Sequence, residues 1–312
     1  CARAYYSLPY KINNGLVRNH HNVIWFSDRD IARAEAIIPS QKFGKRKCND
    51  RLIAYCRNFE PDLLLLGHAN LIESATIKAI RNELPQARVA QYWIDTLGID
   101  HNLRSVRSKL DCVDITFVTT AGSVLKTVAS ATVPAMFVPN PVDASIDIHR
   151  CHEAEQLDTD VFFAGQKSDY CDPDDLRNQV HRLPGLLPEY SVKLFESIWG
   201  ATYMRELGRA KIGLNLSSRP KGSLGGDGSI LYCYSSDRIS QYLGNGLLTF
   251  VPACFSLGRL YGDDGLVEVT TFDDLVDKLR FYVTHDAQRR RVAAAGHSLA
   301  HTQYSTERVT RY

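Results

Sequence analysis

Short apolar runs recur along the chain with amphipathic stretches between them. In the first half, five runs are mostly apolar without strict alternation, which is typical of strands buried on both faces; they lie at 22–26, 62–66, 88–93, 114–118 and 134–138. Helical patterns separate them at 51–59, 71–83, 105–110 and 121–129. This alternation predicts a parallel sheet covered by helices. The chain opens at Cys1 without an initiator Met, so we expect a further strand to end there and residues upstream to be missing.

The second half of the chain repeats the alternation. Its predicted strands are 160–164, 191–194, 211–216, 247–251 and 266–269, and its predicted helices are 174–182, 201–209, 236–243, 272–282 and 287–300. A polar stretch that contains a proline, 140–158, separates the halves and suits a hinge linker. We therefore predict an α/β protein of two Rossmann-like parallel-sheet domains facing each other across a cleft, with residues 1–150 in the first and 151–312 in the second.

Composition and charge exclude several classes of protein. The chain has 312 residues, 44% hydrophobic and 23% charged, with a net charge of +2, which argues against a dedicated nucleic-acid surface. No segment approaches the ~18 consecutive apolar residues of a membrane span. The basic run KFGKRK at 42–47 is interpreted as a solvated loop, although it could touch phosphates or an anionic membrane. The eight cysteines are scattered without a C-x-x-C pair, which favours a reducing, cytoplasmic protein without structural zinc.

The stretch from Arg238 to Gly246 is the most informative part of the chain. Polar residues before it can cap a short helix that carries Arg238 and Gln241 one turn apart, on the same face. Gly244 and Gly246 end this helix just before an apolar strand. Ligands of open α/β sheets bind at such edges, but an ordinary connection with a surface arginine fits the spacing equally well.

Three other segments are expected to converge with it at the carboxyl ends of the second sheet. One follows strand 160–164 and offers a glycine and a lysine for a phosphate. Another leaves strand 211–216 with small polar side chains and an arginine. The third is the glycine-rich loop 220–228, which could close over a ligand or be a mobile surface loop. The candidate binding residues of these segments and of the helix are Gly165, Lys167, Ser217, Arg219, Asp227, Tyr234, Arg238, Gln241, Asn245 and Gly246.

With these residues in place, the chain resembles the GT-B glycosyltransferases, especially their group-1 and CgeB-like branch. That branch shows R-x-x-E-x-x-x-x-G before a short strand, and here stand Arg238, Gln241 and Gly246. Further stretches similar to the family's are PDLLLLG at 61–67, YWID at 92–95, VPNPVD at 138–143, VFFAG at 161–165 and AKIGLNL at 210–216. The resemblance covers most of the chain, although each motif is short.

The resemblance implies a nucleotide-sugar donor on the second domain and an acceptor on the first. Arg238 would face the donor phosphates, and position 241 would reach the ribose or the sugar. Gln241 departs from the family's glutamate and offers one acceptor and one donor, which leaves open a different donor or a loss of activity. The chemistry of this fold needs no metal or cofactor, because cationic side chains and helix N-termini stabilise the leaving nucleotide.

A base for the acceptor hydroxyl would come from the first domain. His68 and Asp95 each follow a predicted strand, where side chains meet the cleft, although either could be a structural residue. We expect a cytoplasmic glycosyltransferase, with possible contact to the inner face of the membrane, acting on a glycan or glycolipid in bacterial surface polysaccharide assembly. The alternatives are a sugar-nucleotide epimerase of the same fold and a sugar-binding pseudoenzyme. A Rossmann dehydrogenase is disfavoured because no G-x-G-x-x-G follows a strand.

Overall fold

The computed structural model describes residues 5–36, 41–169, 171–217 and 231–311, without the side chains of Gln41 and Lys42. In the first half, four parallel strands form a sheet in the order in which they occur: β1 (Leu63–Leu66), β2 (Arg88–Trp93), β3 (Ile115–Val118) and β4 (Ala135–Phe137). The connections carry α4 (Ser74–Glu83), α5 (Asp100–Arg107) and a 3₁₀ helix, Gly122–Thr127. The sequence predicted all four strands to within two residues.

Five parallel strands form the sheet of the second half. They are β5 (Thr159–Ala164), β6 (Val192–Phe195), β7 (Ala210–Leu214), β8 (Leu248–Pro252) and β9 (Val267–Val269), in the spatial order β6-β5-β7-β8-β9. The helices around it are α6 (Leu176–Gln179), α7 (Leu183–Leu186), α8 (Gly200–Leu207), α9 (Asp237–Gly244), α10 (Gly258–Tyr261), α11 (Phe272–Thr284) and α12 (Asp286–Gln303). Two 3₁₀ turns, Val180–Arg182 and Ala253–Phe255, complete it. The two sheets confirm the prediction of two Rossmann-like α/β domains.

The first sixty residues differ from the prediction. The run 22–26 is not a strand; Trp25 stacks on Tyr10, with ring centroids 4.8 Å apart, and Phe26 packs edge-on against Tyr55. Three helices lie here instead: α1 (Leu8–Arg18), α2 (Asp28–Ala34) and α3 (Gln41–Phe59). The basic run 42–47, predicted as a loop, falls in the first turns of α3, where a Cβ on Gly44 would collide with a carbonyl of α2. The strand expected near Cys1 lies outside the described residues.

The connection between the two sheets is packed rather than solvated. Asn140, Val142, Asp143, Asp147 and Cys151 are all at most 2% exposed. Lys11 of α1 donates to Asp147 Oδ2 at 2.6 Å inside the protein. Burial raises the pKa of Asp147, and the charge of Lys11 opposes that shift. The predicted hinge is therefore clamped to α1 by a buried ion pair.

The C-terminal end of the chain returns to the first half. Helix α12 packs on α9, and the short helix α13 (Thr306–Val309) then packs on α1. Val142 and Ser305 form a parallel β-bridge between the connection and this end. The short helix α13, rather than the longer α12, contacts α1 of the first half. None of the helices in the described ranges has the length and apolar character that a membrane crossing requires.

Three histidines stack where α12 meets the end of α9. The ring of His297 lies between those of His152 and His301, with centroids 4.6 Å and 4.3 Å away. His301 Nε2 donates to the carbonyl of Gly244 at 2.9 Å. Burial and the two neighbouring rings lower the pKa of His297 to about 4. The central imidazole of the stack is therefore neutral at pH 7.

Candidate active site between the two sheets

Arg238 lies at the point where the strand order of the second sheet reverses. From the first turn of α9, its Nη1 donates to the carbonyl of Ala164 at 3.0 Å, and its Nη2 to the carbonyl of Leu216 at 3.4 Å. Nη2 also lies 3.4 Å from Ser217 Oγ, which accepts from it. Ala164 ends β5, and Leu216 and Ser217 follow β7; the carboxyl ends of these two strands flank the switch point of the sheet. Ligands of doubly wound sheets bind in this position.

A second arginine, Arg177 of α6, reaches the same point. Its Nη1 donates to the carbonyl of Leu216 at 2.8 Å, while its buried Nε has no hydrogen-bond partner. Burial and the charge of Arg238 lower the pKa of Arg177 to about 10. Within the described part of the chain, neither guanidinium has a carboxylate within 4 Å. Two partly buried cations without a counter-charge among the described residues attract an anion, and guanidinium groups suit phosphate oxygens.

Gly165 keeps the space between the two guanidinium groups open. A Cβ at this position would lie 3.0 Å from Arg238 Nη1 and 3.1 Å from Arg177 Nη2. The N–H of Gly165 itself already donates to the carbonyl of Phe195 at 2.8 Å. The exposed Lys167 follows on a loop that Asn178 holds by accepting from Ser168 N at 2.9 Å.

Gln241 lies one turn after Arg238, but its side chain is 2% exposed. Tyr203 donates its hydroxyl to Gln241 Oε1. Among the described residues, no group accepts a hydrogen bond from the amide nitrogen of Gln241. The resemblance links position 241 to the ribose or the sugar. At this position the buried Tyr203 orients the Gln241 side chain, and the amide nitrogen of Gln241 has no acceptor among the described residues.

Asn245 and Gly246 are not brought to the two arginines. The fully buried Asn245 donates to Asp147 Oδ1 at 3.2 Å and to the carbonyl of Gln241 at 2.7 Å. Gly246 has φ +75, and a Cβ there would collide with His152. Both residues fix the end of α9 to the connection between the sheets, so the structure gives them a structural position instead of the donor contact that we expected.

Tyr234 stands between the two sheets. Its hydroxyl donates to the carbonyl of Ile94 at 3.4 Å, just after β2. Burial raises the pKa of Tyr234, and so does the charge of Asp95, while Arg238 and Arg177 oppose the shift. The charges of Asp95 from the first half and of the two arginines from the second half therefore all act on Tyr234.

The segment 231–236, which we call the strap, holds Tyr234 in this place. Ser235 N donates to the carbonyl of Thr119 at 2.8 Å, and Ala121 N donates to the carbonyl of Tyr232 at 2.9 Å. Asn140 Nδ2 donates to the carbonyl of Ser235 at 2.5 Å. Backbone hydrogen bonds thus attach the strap to the first sheet immediately before α9 begins.

His68 and Asp95 follow the neighbouring strands β1 and β2, and the structure brings them together. His68 Nε2 lies 3.7 Å from Asp95 Oδ2, and the imidazole stacks on Trp93 with centroids 4.2 Å apart. Burial lowers the pKa of His68, and Asp95 opposes that shift. Nε2 is buried without a hydrogen-bond partner, whereas the Asp95 side chain is 54% exposed. A neutral imidazole beside an accessible carboxylate is a suitable arrangement for removing a proton.

Two of the predicted binding residues, Arg219 and Asp227, lie outside the described residues, as does the loop 220–228. The sequence analysis missed Arg177, because an arginine in a predicted helix is normally solvated. It also missed Trp199, which is 63% exposed and lines a hollow of about 450 Å³ after β6. The only local signal was Gly200, whose φ of +66 begins α8. The hollow lies past the carboxyl end of β6, which pairs with β5, one of the two strands at the switch point.

Other parts of the described structure offer less to an anion or a metal. A larger cavity of about 670 Å³ opens at the opposite, amino-terminal edge of the second sheet, where Arg209 pairs with Asp158 and Arg290 with Asp286. Among the described residues, no group of three histidines, cysteines or acids is arranged to hold a metal ion.

Comparison with known proteins gives this site a context. Residues 161–312 match the family model described as glycosyl transferase-like, which spans the second domain from within β5 onward. No curated protein matches the chain in sequence.

Solved structures share the architecture of the whole chain at low identity. HepE from Anabaena in complex with UDP-glucose is 12% identical, with a TM-score of 0.54 over 97% of this chain and 91% of HepE. Sucrose-phosphate synthase from Thermosynechococcus elongatus is 12% identical, with a TM-score of 0.55 over 88% of this chain and 78% of the synthase. TarM is 11% identical, with a TM-score of 0.54 over 85% of this chain and 57% of TarM. The second domain is similar to glycosyl transferase-like proteins and the whole chain shares the GT-B fold of these structures, which supports a glycosyltransferase.

Proposed function

We propose that the enzyme transfers a sugar from a nucleotide-sugar donor on the second domain to an acceptor on the first. The observation that carries the proposal is the pair Arg177 and Arg238, two cations without a described counter-charge at the switch point of the sheet. A nucleoside diphosphate supplies the missing negative charge. That HepE was solved with UDP-glucose, on a fold that this chain shares, supports a donor of this class.

The two guanidinium groups would bind the diphosphate and stabilise it as it leaves. Charge-assisted contacts of this kind contribute most where negative charge develops, and losing one typically costs about 3 kcal/mol of transition-state stabilisation. The amide nitrogen of Gln241 would donate to a ribose or sugar hydroxyl. The exposed Trp199 offers a stacking surface for the base in the adjoining hollow. Transfer on this model needs no metal or cofactor.

His68 and Asp95 would act on the acceptor hydroxyl. Asp95 is the accessible group, and the neutral His68 beside it can accept a proton or hold the carboxylate in place. Replacing Asp95 by Asn is expected to leave donor binding unchanged and to reduce turnover about 100-fold or more.

The acceptor that we propose is a glycan or glycolipid of bacterial surface polysaccharide assembly, with the enzyme in the group-1 or CgeB-like branch and in the cytoplasm. Helix α3 supports contact with an anionic membrane surface, because Phe43, Arg46 and Lys47 are exposed on its first turns. This contact would be peripheral.

Nucleotide binding to the whole 312-residue chain tests the proposal. Titration calorimetry with UDP, GDP, ADP, dTDP and CMP is expected to find one tight ligand, and Arg238→Ala or Arg177→Ala should weaken it about 10- to 100-fold. Arg291→Ala removes an exposed arginine of α12 and serves as the control. Equal affinity of Arg238→Ala and the parent for every nucleotide would show that the phosphates bind elsewhere.

A sugar-nucleotide-binding pseudoenzyme is the second candidate, because Gln241 stands where the related enzymes carry glutamate. A pseudoenzyme is expected to bind the nucleotide as a transferase does, and the arginine variants are expected to weaken that binding equally. The two are separated by following the donor over time in the presence of candidate acceptors: a transferase releases the nucleotide diphosphate, whereas a pseudoenzyme returns the donor intact.

A further inference from the structure

The cavity of about 670 Å³ at the amino-terminal edge of the second sheet takes no part in the proposed transfer. Its volume is within the usual range of small-molecule sites. Three stretches of the chain line it: the connection 154–158, the passage from α8 into β7, and the first turns of α12. Strand β7 spans about 13 Å at about 3.3 Å per residue, and the two donor-side arginines lie past its other end. The cavity is therefore separate from the donor site.

Arg289 is a buried residue of this cavity whose guanidinium group is only partly engaged. Its side chain is 1% exposed. Nε and Nη2 each lie 2.7 Å from Asp286 Oδ1, so this edge of the planar group faces one carboxylate. Nη1 lies outside that edge and has no hydrogen-bond partner among the described residues. A buried charged donor without an acceptor destabilises a fold, so a ligand in the cavity that supplies the acceptor would be stabilising.

Two guanidinium groups share one carboxylate where α12 meets the cavity. Besides its contacts with Arg289, Asp286 accepts from Arg290 Nε through Oδ2 at 2.5 Å. Arg290 also donates to the carbonyls of His152 and Ala154, at 3.2 Å and 2.6 Å, which fixes α12 to the connection. The start of α12 therefore presents a positive charge that Asp286 does not balance. This excess is smaller than at the donor site, where the two guanidinium groups have no carboxylate among the described residues.

The passage from α8 into β7 adds two more cations to the cavity. Arg209 pairs with Asp158, and Lys211 Nζ donates to Asp160 Oδ1 at 2.7 Å. Each of these two cations has N–H groups left for a further acceptor. Glu155, which is exposed on the connection and lines the cavity, forms no ion pair among the described residues. Glu155 is thus the carboxylate that opposes an anion here.

We propose that this cavity binds a small metabolite through a phosphate group, with Arg289 Nη1 as the central donor. A phosphate oxygen supplies the acceptor that Nη1 lacks, and its charge balances the second guanidinium group at Asp286. Guanidinium groups suit phosphate oxygens, and cations from two walls of the cavity can reach one tetrahedral anion. The ligand would join the connection, α12 and the start of β7, so its binding is expected to raise the melting temperature.

Calorimetry of the whole 312-residue chain with inorganic phosphate tests the site. Arg289→Lys keeps a positive charge beside Asp286 but loses the second arm of the guanidinium group, and it should weaken phosphate binding about tenfold. Arg209→Gln, at a side chain that is 50% exposed, should weaken the binding about threefold. Arg291→Gln changes an exposed arginine of α12 that does not line the cavity, so as the matched control it should leave the affinity unchanged.

The donor-side arginines can also bind phosphate, so each titration is repeated in an Arg238→Ala background. Phosphate binding that persists in Arg238→Ala and weakens in Arg289→Lys supports the cavity. Binding that is lost in Arg238→Ala and unchanged in Arg289→Lys would overturn the proposal. UDP affinity should be the same in Arg289→Lys and the parent, so a failure to bind UDP counts against the donor site alone.

Glu155→Gln provides a test at an exposed position if Arg289→Lys fails to fold. Removing the carboxylate that opposes an anion should strengthen phosphate binding about threefold. This gain is opposite in direction to the loss expected for Arg209→Gln, so general damage to the protein cannot produce both results. Equal affinities of Glu155→Gln, Arg209→Gln and the parent would refute the site.

Two further ligands identify the group that carries the phosphate. Glucose 6-phosphate probes a sugar and AMP probes a nucleoside, both in the Arg238→Ala background. Tighter binding of one of them than of inorganic phosphate, weakened by Arg289→Lys, names the carrier, whereas equal affinity for all three names phosphate itself as the ligand. If none of the three binds at millimolar concentration or raises the melting temperature, the proposal is wrong.

Discussion

Lys11→Met removes one half of the buried ion pair that clamps α1 to the connection between the two sheets. The side chains of Lys11 and Asp147 are 2% and 0% exposed, with Nζ and Oδ2 2.6 Å apart. Methionine keeps the length of the aliphatic stem but not the charge. Asp147 keeps two donors, Asp143 N at 2.9 Å and Asn245 Nδ2 at 3.2 Å.

Breaking a buried pair by removing one partner typically costs 3–5 kcal/mol, because the other charge stays behind. The two remaining donors place this case at the low end, at about 3 kcal/mol of unfolding free energy. In a chain of this size, each kcal/mol lowers the melting temperature by about 2 °C, so the expected shift is roughly 6 °C.

The pH dependence of the stability cost of Lys11→Met provides a second check on this reasoning. Burial already raises the folded-state pKa of Asp147, and the loss of Lys11 raises it further. A raised pKa means that the folded state holds its proton more tightly than the unfolded chain, so stability is gained as the pH falls through the folded-state pKa. The cost of Lys11→Met is therefore expected to shrink between pH 7 and pH 5.

Urea unfolding of the parent and the variant at both pH values measures this effect. Lys78→Met is the matched control, because Lys78 and Asp111 form an ion pair with side chains 53% and 61% exposed, and such surface pairs contribute at most about 1 kcal/mol. A cost below 1 kcal/mol at pH 7, or one that grows on acidification, would refute the reasoning.

Two further predictions concern the donor side and the histidine stack. Gly165→Val places methyl groups between the two guanidinium groups and should abolish nucleotide binding in calorimetry while the fold persists; Gly185→Val, where a Cβ meets nothing within 4 Å, should bind normally. The pKa of His297, about 4, lies below its unfolded value, so this group's contribution to stability is complete above about pH 6.5 and is lost as the pH falls toward 4. Denaturant midpoints across that range should fall less steeply in His297→Asn, and equal slopes would count against the stack.

The second sheet was predictable because its strands are buried on both faces. Each predicted strand lies within two residues of an observed one, since a central parallel strand requires a nearly continuous apolar run. The run 22–26 has the same composition but meets aromatic rings of α1 and α3 instead of a neighbouring strand. Local pattern alone does not distinguish these two environments.

The sequence predicted those parts of the site that depend on local secondary structure. The spacing from Arg238 to Gly246 predicted a short helix before a strand, and α9 and β8 lie there. Arg177 was not predictable, because what marks it is a buried Nε without a described partner, and burial depends on distant contacts. The same holds for Asn245, whose polar side chain suggested a ligand but is used up inside the protein.

The strap has a consequence for recombining relatives of this enzyme. By sequence it belongs to the second half, yet Thr119, Ala121 and Asn140 hold it to the first sheet. A chimera joined near residue 151 would exchange the donor half and, with it, a piece that must fit the surface of the retained acceptor half. If the two parents carry the same residues at 94, 119, 121 and 140, their hybrids should fold. If they differ there, the strap should fit poorly and Arg238 should be displaced, although its neighbours in the donor half all come from the same parent.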